Sequence, residues 1–361
     1  MNKFLLKNKY GFSDKEIELY RFSCENIKES YISAELYKEL RNFLENNRWN
    51  TILHNKWLTA NYLNNFHEVQ QPDYYGFLHP KSGKNIYGDP LRNFDEIIET
   101  LEKVKKDKIV IKHIGGGKGR SVYIIEQIQN KGGLKVLKLN DGSILGADNF
   151  DNTLNAIEGG LQGFILKKKI DTHDILNTIT SGGLSSVRIM TIRDAKGNCN
   201  SIKAFIRLGS NKGATDHESN GGLISSIDME SGKLGLGQMK GDLKPCFKIH
   251  PSSKIKFYGI EVPYWEDSKE LAVKAASHIH GVNWIRWDIV IGKNKPYLIE
   301  GNVGGGLTTS QRVLGGFIEN GILDEWVKQF KIPLDGKSEM TSLKNWKRRF
   351  LRNVIKKVFR M

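Results

Sequence analysis

The chain has 361 residues, of which 39% are hydrophobic and 10% aromatic. This composition excludes full disorder and suits one large two-lobed unit or two to three small domains. The net charge is +15, but residues 341–361 hold eight basic and no acidic residues, so more than half of the excess belongs to the C-terminal tail. Three widely spaced cysteines without a C-x-x-C pair argue against a disulfide framework.

The first 92 residues predict a helical N-terminal region that ends in a loop. Charged and apolar residues recur at a spacing of three to four, as in amphipathic helices, and Ser13 followed by Glu16 resembles a capping box. Proline and glycine are frequent over residues 72–93, which predicts a loop or linker. A further helix is expected from Asn93 or Asp95 to about residue 106.

Strand-rich segments follow from residue 108 onward. The runs 108–114 and 121–126 predict a hairpin with a glycine-rich connection. Two helices are expected at 152–158 and 268–280. Further strands are predicted at 135–139, 163–170, 186–193, 200–208, 222–228, 284–292 and 295–300.

The glycine-rich connection is a candidate anion-binding loop. It reads G-G-G-K-G over residues 115–119 and follows Lys112, which is on the preceding strand. Glycines let backbone N–H groups approach an anion closely, so a lid over phosphates fits. The loop lacks a Walker A ending and leads into a strand, which excludes a Rossmann fingerprint. The alternative is an ordinary hairpin turn with solubilising lysines.

A second motif combines two carboxylates and an amide. Asp288 lies in W-D-I-V-I, while Glu300 and Asn302 lie in Y-L-I-E-G-N and share a face by their period-two spacing. These are hard oxygen ligands of the kind that suit Mg²⁺. The alternative is an ion pair between Asp288 and Arg286 or Arg312.

Two arginines stand within apolar strands. Arg188 lies in S-S-V-R-I-M-T and Arg207 in A-F-I-R-L-G. An arginine in such a place needs an anionic partner, and phosphate matches its forked geometry. The alternative is a structural bridge to a neighbouring carboxylate.

In this order, the motifs resemble the sugar-transfer-associated branch of the ATP-grasp superfamily over residues 105–320. The resemblance is carried by the motifs already quoted together with D-H-E-S-N-G-G, H-P-S-S-K and V-P-Y-W-E. It implies an α+β ATP-grasp fold with two β-rich lobes that grip a nucleotide, a helical N-terminal region and a C-terminal amphipathic helix. The implied division is 1–92, 93–180 for the lid lobe, 181–332 for the metal and catalytic lobe, and 333–361 for the tail.

The resemblance also implies roles for individual residues. Arg207 and Arg188 are expected to be catalytic, and the hinge is expected to bind adenine through its backbone. The hinge reads K-K-K-I-D where the family commonly has acidic residues, and Asp216-His217 stands where an Asp-Asn pair is usual. The expected nucleotide-binding residues are Lys112, Gly115, Gly116, Gly117, Lys118, Gly119, Leu166, Lys167, Lys168, Asp171 and Asp174. The expected metal ligands are Asp288, Glu300 and Asn302, and the candidate substrate residues are Asp216, His217, Gly221, Gly222 and His250.

The function that the resemblance implies is an ATP-dependent carboxylate–amine ligase that acts through an acyl phosphate in polysaccharide or envelope biosynthesis. ATP and Mg²⁺, with Mn²⁺ as an alternative metal, are the expected cofactors. The rival functions are a sugar phosphotransferase, a non-catalytic nucleotide-binding protein at a membrane surface, and a nucleic-acid binder motivated by the basic isoelectric point. The substrates are expected to be small carboxylates and amines or sugar precursors.

The C-terminal tail predicts a basic amphipathic helix. Leu343, Trp346, Phe350, Val354 and Val358 recur at a spacing of three and four among lysines and arginines. Such a helix favours the surface of an anionic membrane. We therefore expect a cytoplasmic protein held peripherally at the inner face of the cell membrane. The alternatives are a helix docked on the body and a nucleic-acid patch.

Overall fold

The computed structural model describes most of the chain between residues 6 and 317. The described ranges are 6–7, 11–20, 31–44, 47–104, 108–115, 122–139, 142–156, 163–194, 196–210, 222–239, 246–304 and 307–317. Their contacts define two compact units, one of residues 44–304 and one of the described parts of 1–43 and 305–361. No helix in these ranges is long and apolar enough to cross a membrane.

The helices are short, and most belong to the larger unit. In chain order they are α1 (Asp14–Tyr20), α2 (Ala34–Leu44), α3 (Asn47–His54), α4 (Lys56–Leu63), α5 (Phe94–Val104), α6 (Ala147–Ala156), α7 (Asp174–Thr180), α8 (Trp265–His278) and α9 (Thr308–Leu314). The capping box is confirmed, because Glu16 accepts from the Ser13 N–H at 2.9 Å and the Ser13 hydroxyl accepts from the Glu16 N–H at 3.3 Å.

The larger unit contains a seven-stranded antiparallel sheet with the order β2-β1-β7-β3-β4-β5-β6. Its strands are β1 (Tyr74–Leu78), β2 (Lys84–Asn85), β3 (Ile109–His113), β4 (Val122–Lys131), β5 (Leu134–Leu139), β6 (Ile144–Leu145) and β7 (Phe164–Lys168). Burial alternates along β3, so Ile109 and Ile111 enter the core while Lys112 faces the other way. Phe94 on α5 and Phe150 on α6 pack into that same core.

The predicted loop over residues 72–93 is wrong in part, since β1 and β2 lie within it. Tyr75 and Leu78 are buried, and β1 pairs with β7. Gly76 is required here for packing rather than for a turn. A Cβ atom at Gly76 would come within 2.9 Å of the Asn85 backbone and 2.6 Å of the Leu91 side chain. A glycine inside a strand therefore gave a false turn signal.

The second sheet of the larger unit has six antiparallel strands in the order β11-β10-β9-β8-β12-β13. They are β8 (Ser185–Arg193), β9 (Cys199–Leu208), β10 (Leu223–Ile227), β11 (Leu234–Met239), β12 (Trp284–Ile291) and β13 (Pro296–Asn302). Helix α8 packs on one face through Leu271, Ala272 and Ala275. Trp287 is fully buried in this core, and its Nε1 donates to the Thr191 hydroxyl at 3.0 Å.

The smaller unit is held together by a buried glutamine. Gln311 on α9 accepts from the Ile32 N–H at 2.8 Å, and its amide donates to the Ile32 carbonyl at 2.8 Å and to the Tyr20 hydroxyl at 3.0 Å. The predicted amphipathic helix over residues 333–361 lies outside the described residues. The predicted boundaries at 92, 180 and 332 stay predictions, although residues 44–92 group with the two sheets.

Candidate functional site

Charged side chains from both sheets meet beside strand β13. Lys112 on β3 donates from its Nζ to Glu300 Oε2 on β13 at 2.5 Å. Strand β12 pairs with β13, and in that pairing Asp288 lies directly opposite Glu300. Directly opposite residues point to the same face of a sheet. Lys112, Asp288 and Glu300 therefore belong to one cluster.

Asp288 is the centre of a dense hydrogen-bond network. Arg188 binds it through two parallel bonds, Nε to Oδ1 and Nη2 to Oδ2, both at 2.6 Å. Arg207 Nη1 approaches Oδ1 at 3.4 Å, and the Asn302 amide donates to Oδ2 at 3.1 Å. A strand arginine therefore bridges to a neighbouring carboxylate, as the alternative for the arginines predicts. Asp288 forms an ion pair, as its own alternative predicts, but the partner is Arg188 rather than Arg286 or Arg312.

Both carboxylates stay ionised although they are largely buried. Burial raises the pKa of Asp288, but Arg188 and Arg207 outweigh it and hold that pKa below its usual range. Burial likewise raises the pKa of Glu300, and Lys112 and Lys56 lower it below the ordinary value. The cluster therefore keeps two negative charges at neutral pH.

Two further lysines complete the cluster. Lys56 is the first residue of α4, where the Asn55 side chain caps the helix, and its Nζ lies 3.9 Å from Glu300 Oε2. Lys167 on β7 pairs with Val110, which places it on the same face of the sheet as Lys112. Burial, together with Lys112, lowers the pKa of Lys167 to about 8. Burial also lowers the pKa of Lys56.

The balance of charge in this cluster favours an anionic ligand. Five cationic side chains surround two carboxylates, which leaves an excess of three positive charges at neutral pH if all five are protonated. Burial lowers the pKa of Lys56 and of Lys167, so an anionic ligand would compensate for the solvation that their charged forms lack. The five cations are Lys56, Lys112, Lys167, Arg188 and Arg207, and the carboxylates are Asp288 and Glu300.

An aromatic ring lies close to the guanidinium groups of both arginines. Phe205 on β9 is 2% exposed. The guanidinium carbon of Arg207 lies 5.4 Å from its ring centroid and that of Arg188 lies 5.9 Å away. These are cation–π distances, so Phe205 helps to fix where both guanidinium groups point.

The donor set also suits a divalent cation. Asp288, Glu300 and Asn302 offer carboxylate and amide oxygens on adjacent strands, and Mg²⁺ typically takes one or two carboxylates and completes its shell with water and phosphate oxygens. Within the ranges that the structure describes, no group of three or more His, Cys, Asp or Glu side chains gathers to hold a metal. Two carboxylates and one amide are the donors that this site would offer to Mg²⁺.

Sequence comparison identifies the family. The profile of the sugar-transfer-associated ATP-grasp family matches residues 35–320. The chain belongs to this family. No curated protein sequence shows significant similarity to it.

Among solved structures, ATP-grasp enzymes are similar at low sequence identity. D-alanine–D-alanine ligase from Bacillus anthracis complexed with ATP has a TM-score of 0.42 and 13% identity, with coverage of 84% of this chain and 71% of the ligase. The biotin carboxylase domain of Hydrogenobacter thermophilus 2-oxoglutarate carboxylase, solved with MgADP, gives 0.40 and 13%, with coverage of 76% and 46%. N5-carboxyaminoimidazole ribonucleotide synthetase from Thermotoga maritima gives 0.35 and 12%, with coverage of 76% and 49%.

The expected hinge of this ATP-grasp chain is part of a sheet. Strand β7 lies between β1 and β3, where Leu166 pairs with Gly76 and Ile111. The Lys168 N–H donates to the Asp73 carbonyl at 2.8 Å. The expected adenine contact through the backbone of residues 166–168 stays a prediction. What β7 contributes to the cluster is the side chain of Lys167.

The two aspartates after the hinge lie beside a separate cleft. Asp171 and Asp174 line a polar cleft of about 380 Å³ together with Lys108, Glu126 and Lys293. Lys108 and Glu126 form an ion pair at 3.2 Å, while Asp171 lies 3.6 Å from Lys169 and Asp174 lies 3.9 Å from Lys293. Their expected contact with ribose stays a prediction.

Of the remaining family positions, the structure describes Gly115, Gly222 and His250. Gly115 is exposed after β3, and Gly222 is buried just before β10. Gly116, Gly117, Lys118 and Gly119 of the lid, and Asp216, His217 and Gly221 of the substrate motif, lie outside the described residues. His250 is fully buried, with the N–H of Ser253 pointing to its Nδ1 at 3.4 Å, so a direct substrate contact does not fit its position.

Lys56 is the residue of this site that the sequence motifs missed. It lies in the N-terminal helical region, more than 50 positions before Lys112, and no glycine loop or strand pattern surrounds it. The available signal was local: Asn55 is a favourable N-cap residue, and it places Lys56 at the start of a helix.

Proposed function

We propose that this chain is an ATP- and Mg²⁺-dependent ligase that joins a carboxylate to an amine through an acyl phosphate. The observation that carries the proposal is the cluster of five cations around Asp288 and Glu300, with Asn302 beside them. A triphosphate with a divalent cation matches both its positive excess and its oxygen donors.

Each side chain of the cluster has a role in this proposal. Lys112, Lys56 and Lys167 bind phosphate oxygens, and Asp288, Glu300 and Asn302 would hold Mg²⁺, which neutralises phosphate charge when bound. Arg207 and Arg188 neutralise the charge that develops as the γ-phosphoryl group moves. A nucleotide would draw these cations away from the carboxylates, which frees oxygens for the metal.

The proposed reaction has two steps. A carboxylate oxygen attacks the γ-phosphorus, the bond to the β-phosphate oxygen breaks, and ADP leaves. The amine nitrogen then attacks the acyl carbon, phosphate leaves, and the nitrogen loses a proton. Exclusion of water protects the acyl phosphate between these steps. The family association with sugar transfer favours polysaccharide or envelope precursors as substrates.

ATP turnover with mixtures of amino acids and uronic-acid sugars tests this function. The proposal expects phosphate release and a product whose mass equals the two substrates less one water. Glu300→Ala and Asn302→Ala should abolish turnover, whereas Lys135→Ala, a change at an exposed pair with Glu102, should not. Full activity in both site variants would contradict the proposal. A stable phosphorylated sugar formed without amine would identify a phosphotransferase instead.

A further inference from the structure

A compact hairpin at residues 246–260 extends the outer edge of the six-stranded sheet. Gly237 on β11 donates to the Phe247 carbonyl at 2.8 Å. The two arms of the hairpin are joined by bonds from His250 N–H to the Ile255 carbonyl at 2.8 Å and from Phe257 N–H to the Lys248 carbonyl at 3.1 Å. His250 and Phe257 are both 0% exposed. Each arm is therefore anchored by one buried ring.

Large apolar and basic side chains are exposed together on this hairpin. Three large apolar side chains stay exposed, namely Ile249 at 49%, Ile255 at 38% and Tyr258 at 42%. Three lysines are exposed beside them, namely Lys248, Lys254 and Lys256. No acidic residue occurs between positions 246 and 260. Lys248 Nζ lies 5.3 Å from the Tyr258 ring centroid, so basic and aromatic groups are direct neighbours.

We infer that this hairpin contacts the surface of a lipid bilayer that contains anionic lipids. Isoleucine and tyrosine side chains gain free energy when they leave water for the interfacial region, and lysines can extend to anionic headgroups. Nucleic acid would use the lysines but leave the isoleucines in water, so the combined pattern favours lipid. The surface is preformed, and its ordering costs little on binding.

The hairpin is also connected to the candidate active site. Burial lowers the pKa of His250, and the backbone of Leu208 and Gly209 opposes this shift, which places the ring against the end of β9. Arg207 lies on β9 directly before Leu208. The buried His250 side chain would therefore connect a bilayer contact at the hairpin to β9, the strand that carries Arg207. The inference does not depend on the ligase reaction itself.

Depth measurement with a spin label tests the contact directly. The full chain, with its three native cysteines changed to serine, carries a nitroxide at Ile255→Cys or, as control, at Leu134→Cys, a 72% exposed position at the start of β5. With phosphatidylglycerol-containing vesicles, the label at 255 should gain oxygen accessibility and lose accessibility to an aqueous nickel complex. The control label should stay aqueous. A label at 255 that stays aqueous, or a protein that ignores these vesicles, would overturn the inference.

Matched charge variants separate a local contact from general basicity. Changing Lys248, Lys254 and Lys256 to glutamate should weaken partitioning onto phosphatidylglycerol vesicles roughly tenfold or more, because each lysine near an anionic surface contributes. The same change at Lys131, Lys135 and Lys138 on the β4–β5 hairpin alters net charge equally and should have an effect below about threefold if that hairpin stays away from lipid. Equal losses of vesicle partitioning in the two triple variants would overturn the inference. Both variants should retain wild-type ATP turnover in solution, so failure here is distinguishable from failure of the proposed reaction.

Discussion

Lys112 and Glu300 lie on different sheets, and their side chains form an ion pair of 2.5 Å. The pair joins the phosphate-binding side of the proposed site to its metal-binding side. Lys56 approaches the same carboxylate oxygen at 3.9 Å, so Glu300 is shared by cations from helix α4 and strand β3. A nucleotide that takes these cations would release Glu300 for a metal.

Lys112→Met should weaken ATP binding by about tenfold to a hundredfold. One hydrogen bond to a charged group contributes roughly 1.5–3 kcal/mol, and each 1.4 kcal/mol corresponds to about a factor of ten. Titration calorimetry with ATP and Mg²⁺ measures the change. Lys135→Met removes an exposed lysine paired with Glu102 and should bind normally. Equal affinities for the two variants would exclude Lys112 from the site.

ATP affinity should fall as pH rises through about 8. The pKa of Lys167 is lowered to about 8 by burial and by Lys112, so above this pH the side chain loses the charge that attracts phosphate. Bound ATP should raise that pKa, and binding near pH 8 should therefore take up protons. Calorimetry in buffers of different ionisation enthalpy measures the uptake. Lys167→Arg stays charged and should show a flatter profile; an unchanged profile would assign the titration to another group.

Lys167 should also make the free energy of unfolding increase with pH. Its folded pKa lies below the unfolded value of about 10.4, so the unfolded chain binds more protons between these values and stability should rise with pH from about 8 to 10. Urea unfolding across that range measures the slope. Lys167→Met should remove the Lys167 contribution to the slope and should be more stable than the parent protein near neutral pH without ATP.

Phe205→Leu should lower kcat by roughly fivefold to tenfold with a smaller change in the KM for ATP. The ring contacts both guanidinium groups, and a cation–π contact contributes about 1 kcal/mol, so its loss loosens the arginines assigned to the transferring phosphoryl group. Phe94→Leu creates a similar cavity in the other core and serves as the control. If the Phe205→Leu and Phe94→Leu proteins are equally stable and lose the same fraction of kcat, Phe205 acts only through packing.

Gly301→Ala should disturb both metal-ligand candidates on β13. A Cβ atom there would lie 2.5 Å from the Trp287 ring and 2.8 Å from Leu53. Since Trp287 is fully buried, β13 would have to move, and Glu300 and Asn302 would move with it. We expect at least a tenfold loss of Mg²⁺-dependent turnover. Gly146→Ala, where nothing lies within 4 Å of the added atom, should behave as the parent protein.

Much of this cluster was predictable because its members lie on regular strands. Alternation along β13 fixes Glu300 and Asn302 on one face, and a strand arginine such as Arg188 requires an anion nearby. The pairing of Asp288 with Arg188 depends on strand order, which spacing in the sequence does not reveal. Lys56 was missed because its contact with Glu300 joins residues separated by more than 200 positions.

Glycine and lysine were the least reliable signals. Gly76 suggested a turn, although close packing against Asn85 and Leu91 requires it inside β1. The K-K-K run does not indicate which lysine joins the cluster, whereas the pairing of Lys167 with Val110 places Lys167 on the face of Lys112. In both cases the deciding information was the neighbour across the sheet rather than the neighbour in the sequence.

Anomalous diffraction from crystals grown with Mn²⁺ and a non-hydrolysable ATP analogue tests the central claim most directly. We expect a manganese peak within coordination distance of Asp288 and Glu300, with nucleotide phosphates beside Lys112 and Arg207. Nucleotide and metal bound elsewhere on the protein, with the Lys112–Glu300 pair intact, would contradict the assignment.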